Sequence, residues 1–341
     1  MGVNLRDIIN PLKINLQQLS GRTIAVDTYN ALYQFLSIIR GESGNYLMDE
    51  EGRVTSHLSG LFYRNINLLE LDIKPIYILD GKPPSLKTIE IERRRKVKQE
   101  AVKLYNESIS KGDLAEARKY AQSTSHLKEY MIDDTKRMLE LLGIPWIEAS
   151  SEGEATASYL TKINIATDVV SQDYDALLFG AKRLVRNVTV TGKRKLPGKR
   201  VYMDIAPEEI NLEKTLGHLG VTYEQLVDIG ILVGTDFNPD GFRRIGPITA
   251  LKYIQKYGCL EKIDNIRKEL QKIDYPAIRK IFLKPAITKP KKKLIWSRPD
   301  REKINVFLCG ERAFSEDRVN RALDKLKKVE NERSENLEKW F

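Results

Sequence analysis

The sequence predicts an α/β fold with a mostly parallel sheet. Residues 23–26 and 75–79 are short apolar runs of strand length, and each is followed directly by an aspartate. Residues 29–39 and 58–71, which lie between these runs, carry apolar side chains at helical spacing. Short buried strands that alternate with helices are typical of parallel α/β sheets.

Two later apolar runs are predicted to extend this sheet. Residues 168–171 lead into the acidic segment 172–175, and residues 184–188 follow Gly180. In open parallel sheets, ligands bind at the carboxyl ends of the strands. The acids that follow three of these strands are therefore expected to lie at one functional edge.

Two helical regions are predicted outside the sheet. Residues 87–142 are charged and polar and favour helix, so they indicate an inserted helical region. Residues 223–232 and 249–257 have helical periodicity and flank the turn-rich segment 234–246. That pattern indicates a helix-loop-helix unit.

The C-terminal part of the chain begins with a basic, proline-containing segment at residues 284–293. An ordered segment is predicted around residues 306–326. Residues 327–335 are polar and lack apolar periodicity, so we expect a flexible tail from residue 327 to the end.

The composition indicates a soluble, basic protein of the cell interior. The 341 residues carry 57 Lys and Arg against 47 Asp and Glu, and the resulting net charge of +10 is typical of proteins that bind polyanions. No apolar run is long enough to span a membrane, and the first residues lack a signal-peptide pattern. The two cysteines, Cys259 and Cys309, cannot supply a cysteine-based zinc site. We therefore expect an intracellular protein that binds nucleic acid.

Seven acids are candidates for a functional cluster, although each also has a structural explanation. Asp27 and Asp80 could cap the helices that follow their strands, and Glu154 could close a capping box that begins at Ser151. The complete set is Asp27, Asp80, Glu152, Glu154, Asp173, Asp175 and Asp236.

The pair Asp173 and Asp175 favours a metal site. Side chains two residues apart in an extended segment point the same way, and two adjacent carboxylates repel unless a cation lies between them. With only three histidines in the chain, carboxylate ligands suit Mg²⁺ or Mn²⁺. Because Mg²⁺ usually takes one or two protein carboxylates, seven acids indicate two ions, about 3.5 to 4 Å apart, that clamp a phosphodiester. The chain has no phosphate loop, so nucleotide triphosphate hydrolysis is not expected.

Five motifs, taken in order, resemble those of the flap endonucleases, and in particular the archaeal members of this structure-specific 5′ nuclease family. The motifs are VDTYNALYQF at 26–35, LDGKPP at 79–84, EGEA at 152–155, SQDYD at 171–175 and VGTD at 233–236. The resemblance covers nearly the whole chain. It implies one nuclease domain over residues 1–326, in which a twisted, mostly parallel PIN-like sheet has helices on both faces. It also implies a helical arch inserted at about residues 85–135 and a helix-hairpin-helix unit that binds duplex at about 223–257.

The resemblance also implies roles for individual residues. The seven acids match the family's metal-binding carboxylates, and Asp80, Glu152 and Asp175 count among its catalytic residues. Lys87 and Arg94 match residues that contact the scissile phosphate. The positions that match DNA-binding residues of the family are Gly2, Tyr33, Lys98, Arg243, Arg244, Gly246, Arg312 and Arg318.

Some of these residues have plain structural alternatives. Lys87 and Arg94 could lie on a solvated helix face and pair with Glu90 and Glu92. Tyr33 matches an aromatic residue on which the family stacks a base, but it could instead pack in the core.

Two departures from the family pattern affect the expected partners. Arg244 stands where the family's hairpin usually has glycine, which weakens the expectation of a K⁺ ion in that hairpin. The tail resembles a motif that binds DNA sliding clamps, with Leu337, Trp340 and Phe341 as anchors. Ser334 stands where this motif usually has glutamine.

We therefore expect a monomeric enzyme that uses two Mg²⁺ ions to cleave DNA near the junction of a 5′ flap with duplex. The resemblance implies 5′–3′ exonuclease activity as well, and a role in Okazaki fragment processing and DNA repair. Nicked or double-flap DNA and a sliding clamp are the expected partners, in the cytoplasm or nucleoid of an archaeal cell. The alternatives are another junction or repair nuclease of the superfamily and a DNA-binding relative without catalysis.

Overall fold

The computed structural model describes residues 2–41, 45–113, 116, 120, 126–190, 192–195, 202–290 and 292–338. Its strands, in chain order, are β1 (Leu12–Lys13), β2 (Thr23–Asp27), β3 (Lys74–Leu79), β4 (Trp146–Glu148), β5 (Asp168–Val170), β6 (Arg183–Arg186), β7 (Gly192–Lys195), β8 (Tyr202–Ile205) and β9 (Glu208–Asn211). Strands β7 and β8 pair as a separate hairpin, and the others form one sheet.

The seven strands of the main sheet lie in the order β1-β9-β6-β5-β2-β3-β4. Strands β6, β5, β2, β3 and β4 are parallel, with Val26 of β2 opposite Tyr77 of β3 and Val170 of β5. Strand β9 runs antiparallel to both β6 and β1. The predicted mostly parallel sheet is thus confirmed, and its carboxyl edge carries the ends of β2, β3, β4 and β5.

The central strands are buried on both faces, which explains why they are continuous apolar runs in the sequence. Ile24 and Val26 pack into one core and Ala25, between them, packs into the other. Helices cover both faces, as the resemblance implied. Their bounds, in chain order, are α1 (Thr28–Ile38), α2 (Ser56–Glu70), α3 (Thr88–Ser110), α4 (Glu129–Leu141), α5 (Gly153–Lys162), α6 (Asp175–Leu178), α7 (Leu212–Leu219), α8 (Tyr223–Val233), α9 (Pro247–Tyr257), α10 (Arg267–Leu270), α11 (Tyr275–Leu283), α12 (Arg301–Asn305) and α13 (Glu316–Glu338).

The predicted inserted region contains α3 and α4. Helix α3 buries only Glu90, Ala101 and Ser108 of its described residues, whereas Ile89 and Val97 are 68% and 61% exposed. A helix with so little apolar contact is positioned by its ends and by its charged contacts. Helix α4 instead packs Met138 and Leu139 into the core.

Two sequence predictions differ from the structure in detail, and a third falls outside the described residues. Strand β6 ends two residues early, because Asn187 turns into the left-handed region with φ of 65°. Helix α13 continues through Glu338, where the sequence predicted a tail from residue 327, because Lys, Glu and Arg in this stretch are good helix formers. The clamp-binding anchors Trp340 and Phe341 lie outside the described residues.

Among the helices of the described segments, none combines the length and apolar character needed to cross a membrane.

Candidate active site at the carboxyl edge of the sheet

Asp27 serves both as a helix cap and as a member of the acidic cluster. It ends β2, and one carboxylate oxygen caps α1 by accepting a hydrogen bond of 3.0 Å from the Asn30 N–H. Its other oxygen accepts a hydrogen bond of 3.2 Å from the Ser171 hydroxyl, beyond the end of β5. The cap predicted from sequence therefore forms, and it holds the carboxylate within the acidic cluster.

Asp80 follows β3 and connects this strand to the start of α5. The Gly153 N–H donates a hydrogen bond of 2.7 Å to Asp80 Oδ1. A Cβ atom on residue 153 would lie 2.5 Å from the same oxygen, so only glycine allows this approach. The contact also places a carboxylate at the positive end of a helix dipole.

Glu152 and Glu154 come from the first turn of α5. The capping box considered for Ser151 and Glu154 does not form, since α5 begins after Glu152 without a side-chain cap. The Glu154 carboxylate instead accepts a hydrogen bond of 2.8 Å from Ser171, the residue that also binds Asp27. Ser171 thus joins two carboxylates from different elements.

Asp173 and Asp175 lie beyond β5, but not in the extended segment that the sequence suggested. Asp175 begins the short helix α6, and its carboxylate accepts a hydrogen bond of 2.7 Å from the Val3 N–H. Asp173 accepts one of 3.2 Å from the Asn30 side chain. A Cβ atom on residue 2 would lie 2.5 Å from the Asp175 carboxylate, so Gly2 brings the start of the chain against the cluster.

Burial and mutual repulsion raise the pKa values of Asp27 and Asp175. Burial, and then repulsion from Asp80 and Asp173, raises the pKa of Asp27 to about 8. Burial, and then repulsion from Asp236 and Asp173, raises the pKa of Asp175 to about 7. A carboxylate with such a pKa lacks sufficient positive charge nearby.

The same causes act on two further acids. Burial and repulsion from Glu152 raise the pKa of Asp80 to about 6, although Lys87 opposes the shift. Burial and repulsion from Asp175 raise the pKa of Glu154 well above its ordinary value. Repulsion thus links acids from five segments of the chain into one electrostatic unit.

Lys87 and Arg94 bring positive charge to this unit. The Lys87 ammonium group binds the Glu152 carboxylate and lies 3.2 Å from Asp236. Arg94 binds Asp236 and, at 2.7 Å, Glu90 on its own helix. Burial would lower the pKa of Lys87, but the two carboxylates raise it above its usual range. Arg94 therefore pairs with Glu90, as the structural alternative predicted, and at the same time contacts Asp236 of the cluster.

The acidic cluster suits divalent cations by the chemistry of its donors but not by their present arrangement. Among the residues that the structure describes, no three His, Cys, Asp or Glu side chains are arranged to hold one ion. Glu152 and Asp236 are turned towards Lys87 and Arg94. The chemistry of the set nevertheless fits hard cations, because its donors are carboxylate oxygens and its raised pKa values report an excess of negative charge.

Tyr33 and Lys98 form a pair beside the cluster. The Lys98 ammonium group lies 3.3 Å from the Tyr33 hydroxyl and 4.5 Å from the centre of its ring. Tyr33 is half-buried on α1, so it is neither a core residue nor a fully exposed one. An aromatic face next to a cation suits contact with a base and its phosphate.

The hairpin residues lie in the connection between α8 and α9. Arg243 and Arg244 are exposed, and Arg244 has φ of 64°, in the left-handed region that favours glycine. Gly246 precedes α9 with open space where a side chain would begin. Asp236, at the other end of this connection, belongs to the acidic cluster.

Arg312 and Arg318, which match DNA-binding residues of the family, have different surroundings. Arg312 is 9% exposed, and its guanidinium makes hydrogen bonds of 2.7 and 3.1 Å to Asp134 of α4. Arg318 is exposed and lines a surface groove beside Tyr63. In this arrangement Arg318 is accessible to DNA, whereas the Arg312 guanidinium is committed to an internal ion pair.

Sequence reasoning did not single out Ser171 and Asn30. Ser171 binds two carboxylates of the cluster, and Asn30 donates to Asp173 and accepts from the Gln172 N–H. Both lie inside the quoted motifs VDTYN and SQDYD, so their position next to the acids was the available signal.

The fold and the site together define a nuclease of the α/β class, in which a parallel sheet presents acids and cations at its carboxyl edge. The XPG N-terminal domain matches residues 1–101 and the XPG I-region matches residues 143–236, and these two regions contain all seven acids.

Flap endonuclease 1 of Nitrosopumilus maritimus is 52% identical over the full length of both chains. Flap endonuclease 1 of Pyrococcus furiosus is 48% identical, and the match covers 100% of this chain and 99% of that relative. The chain therefore belongs to the flap endonuclease family, whose members are nucleases.

Solved structures agree with this assignment. The flap endonuclease-1 structure from Methanococcus jannaschii is 40% identical, with a TM-score of 0.75, and the match covers 97% of this chain and all of that one. The catalytic core of Rad2 in complex with DNA substrate has a TM-score of 0.69 over 94% of this chain and 97% of its own. At 21% identity, this second likeness shows a shared fold.

Proposed function

We propose that the protein cleaves DNA phosphodiesters near the junction of a 5′ flap with duplex, with 5′–3′ exonuclease activity, during DNA replication and repair. The observation that carries the proposal is the meeting of seven carboxylates with Lys87 and Arg94 at one edge of the sheet. The names and the near-complete lengths of the archaeal relatives support the same substrate class.

Two Mg²⁺ ions are the proposed cofactors, with Mn²⁺ as a substitute. Their ligands would come from the carboxylates of the cluster, Asp27, Asp80, Glu152, Glu154, Asp173, Asp175 and Asp236. When bound, such ions activate water and neutralise charge on the attacked phosphate. The chain itself keeps the carboxylates in place through the hydrogen bonds from Asn30, Ser171, Gly153 and Val3.

Lys87 and Arg94 are proposed to act on the scissile phosphate. Both cations already lie against Glu152 and Asp236, so a phosphate at the cluster would be within their reach. A preorganised cation stabilises negative charge as it develops and therefore contributes most in the transition state. Tyr33 and Lys98 are proposed to hold the adjacent nucleotide by stacking and by charge.

The duplex is proposed to lie on the unit formed by α8, the connection with Arg243 to Gly246, and α9. Helices α3 and α4 are proposed to belong to the arch. Both assignments rest on the resemblance, together with the exposure of these arginines and the small buried surface of α3.

A cleavage assay with defined junctions tests this function. A labelled duplex with a 5′ flap is incubated with and without Mg²⁺, beside a Holliday junction and a nicked duplex of matched sequence. We expect Mg²⁺-dependent release of the flap at the junction. Binding without cleavage would identify a DNA-binding relative, and preferred cleavage of the Holliday junction would identify a junction-resolving nuclease.

We further propose that the protein acts as a monomer in the cell interior and binds a DNA sliding clamp through Leu337, Trp340 and Phe341. Two adjacent aromatic residues at the end of a polar segment are good pocket anchors. Deletion of residues 336–341 should leave intrinsic cleavage at the parent rate and remove stimulation by a clamp. Lower thermal stability with clamp stimulation retained would show that the aromatic residues pack on the body instead.

A further inference from the structure

A row of exposed lysines follows helix α5 away from the acidic cluster. These residues lie on α11 and on the segment that follows it, and none of them is within salt-bridge distance of a carboxylate in the described part of the chain. We call this row the lysine track. It consists of Lys280, Lys284, Lys289, Lys292 and Lys293.

The track begins at a cavity beside the cleavage site. This cavity has a volume of about 380 Å³ and is lined by the catalytic Glu152 and by the apolar side chains of Ala155, Phe179 and Ile281. Lys280 and Lys284 line it as well. A mostly apolar cavity with two cations can hold a flat heterocycle next to a phosphate.

A second cavity lies further along the same helix. Its volume is about 630 Å³, and Tyr159, Ile163 and Trp296 form part of its wall. Tyr159 is one helical turn beyond Ala155 of the first cavity, so both cavities open along one side of α5. The second cavity is also lined by Lys289, Lys292 and Lys293.

Hydrogen bonds hold the lysine-bearing segment against α5. The Thr288 hydroxyl accepts a hydrogen bond of 2.7 Å from the Ser150 N–H, and the Thr288 N–H donates one of 3.3 Å to Thr156 on α5. At the far end, the Trp296 indole N–H donates one of 2.8 Å to the Pro75 carbonyl at the start of β3. These hydrogen bonds anchor Thr288 near the carboxyl edge of the sheet and Trp296 at its amino edge.

We propose that the lysine track binds the single-stranded part of the nucleic-acid substrate as it leaves the cleavage site, a proposal that rests on the function proposed above. From its N-cap Glu152 to its C-cap Ile163, α5 spans about 16 Å at about 1.5 Å per residue, a length suited to a few nucleotides. Lysines without partners attract phosphates, and the two cavities offer apolar and aromatic surface to unpaired bases. A duplex keeps its bases stacked inside and cannot use these cavities.

The test compares two variants of equal charge change. The first replaces Lys289, Lys292 and Lys293 with Ala. Its matched control replaces Lys13, Lys214 and Lys327, three exposed lysines outside the track, with Ala. Affinity is measured for DNA with a flap of about two nucleotides, which ends before the second cavity, and for DNA with a flap of about 20 nucleotides.

The expected result is a change in the preference for the long flap. In the track variant, the ratio of long-flap to short-flap affinity should fall by about tenfold. The slope of log affinity against log salt for the long flap should also decrease by about 2, because three contacts to a single strand are lost. The control variant should keep the parent ratio. An unchanged ratio in the track variant, or an equal fall in both variants, would overturn the proposal.

A second measurement locates the strand directly. A photoreactive 5-iodouracil base placed along the long flap should form cross-links to Tyr159 or Trp296, and oligo-dT should compete for this site better than polyglutamate of equal charge. Cross-links confined to other elements, or equal competition by polyglutamate, would contradict the assignment. If the parent protein cross-links single strands at the track but cleaves no 5′ flap, the proposed cleavage fails while the track stands.

Discussion

Buried carboxylates at the two edges of the central sheet differ in how much positive charge surrounds them. At the amino edge, Asp168 opens β5, is 0% exposed and binds two arginines, Arg22 at 3.3 Å and Arg183 at 2.9 Å. Arg22 also binds Glu209 at 2.6 Å, so the two acids of this group face two cations. At the carboxyl edge, seven acids share Lys87 and Arg94 among the contacts of the described residues.

The two edges therefore differ in the causes that act on the pKa values of their buried acids. Burial raises the pKa of Asp168, but the Thr167 hydroxyl and both arginines oppose the shift. At the carboxyl edge, neighbouring acids add to the effect of burial and raise the pKa values of Asp27 and Asp175 to about 8 and 7. The arginines of the chain offset the negative charge at one edge, whereas negative charge remains in excess at the other.

This difference separates structural acids from functional ones. Buried acids that are matched by arginine within the fold hold elements together. Buried acids left in excess cost stability and are retained where charge is needed for binding or chemistry.

Asp175→Asn should reduce single-turnover cleavage of a 5′ flap by about 10³-fold or more at physiological Mg²⁺, because it removes a charged ligand with little change in volume. Flap binding should remain close to that of the parent. The measurement is quenched-flow cleavage together with fluorescence anisotropy. Near-normal cleavage would show that Asp175 is not a metal ligand. It would also contradict the proposed difference between the two edges.

Asp168→Asn is the matched substitution at the amino edge. It leaves Arg22 and Arg183 with a neutral partner, so we expect a loss of about 2 kcal/mol in the free energy of unfolding. The folded fraction should cleave at the parent rate, since Asp168 lies at the far edge of the sheet. A loss of activity that exceeds the loss of folded protein would show that the two edges are not independent.

Arg94→Ala should slow the chemical step by about 10²-fold and weaken flap binding much less, because a cation aimed at the developing charge contributes mainly in the transition state. The variant also leaves Asp236 with less positive charge, which widens the contrast between the two edges. Single-turnover rates at saturating enzyme separate the two effects. A change confined to affinity would assign Arg94 to substrate positioning.

The carboxyl edge should also control how stability depends on pH when EDTA is present. The folded-state pKa values of Asp80, Asp175 and Asp27 are raised to about 6, 7 and 8, so the folded protein binds more protons than the unfolded chain in this range. Their contribution is complete below the ordinary pKa of 3.8 and is lost as the pH rises from there through the folded values of about 6, 7 and 8. We expect Tm to fall by several degrees over this window and to fall less in Asp175→Asn. A Tm that rises over the same window would contradict the excess of charge.

The central strands could be predicted because their signal is local. Strands β2 and β3 are continuous apolar runs, and the acid after each run marks the functional edge. Strands β1 and β9 have two and four residues, and of their side chains only Ile210 is buried, so no apolar pattern marks them. Strand β9 pairs antiparallel with the edge of β6, and β1 pairs in turn with β9.

The composition of the acidic cluster could be predicted, but its contacts could not. The motifs place the acids after strands that meet at one edge. The contact from Lys87 to Glu152 joins residues 65 apart, and that from Arg94 to Asp236 joins residues 142 apart. Such contacts depend on how α3 packs, which no local pattern encodes.

The ion pair of Arg312 is a further contact that could not be predicted from the sequence. Its position in the chain matches a residue of a DNA-binding pocket, but its guanidinium lies against Asp134, 178 residues away in sequence. Whether an arginine is free or paired depends on its neighbours in the fold. The DNA-binding role of Arg312 stays a prediction.

The smallest expected effect concerns the connection between α8 and α9, which begins near Asp236 in the acidic cluster and ends with the exposed arginines. Arg244 occupies a left-handed conformation, φ of 64°, where the family usually has glycine. A side chain at this position prevents the close approach of main-chain N–H groups to a phosphate. The guanidinium can instead bind a phosphate directly, and K⁺ should then matter less than in relatives.

Arg244→Ala should therefore weaken binding equally across DNA sequences and reduce the slope of log affinity against log salt by about 1. Arg243→Ala is the matched control, since Arg243 is also exposed and carries the same charge but has an ordinary backbone conformation. Arg244→Gly removes the same charge and relaxes the backbone, so it separates the two causes. If Arg244→Gly gains strong K⁺ stimulation while Arg244→Ala does not, the arginine has replaced a main-chain cradle. An unchanged slope in Arg244→Ala, with strong K⁺ stimulation of the parent, would show that the connection still binds DNA through its main chain.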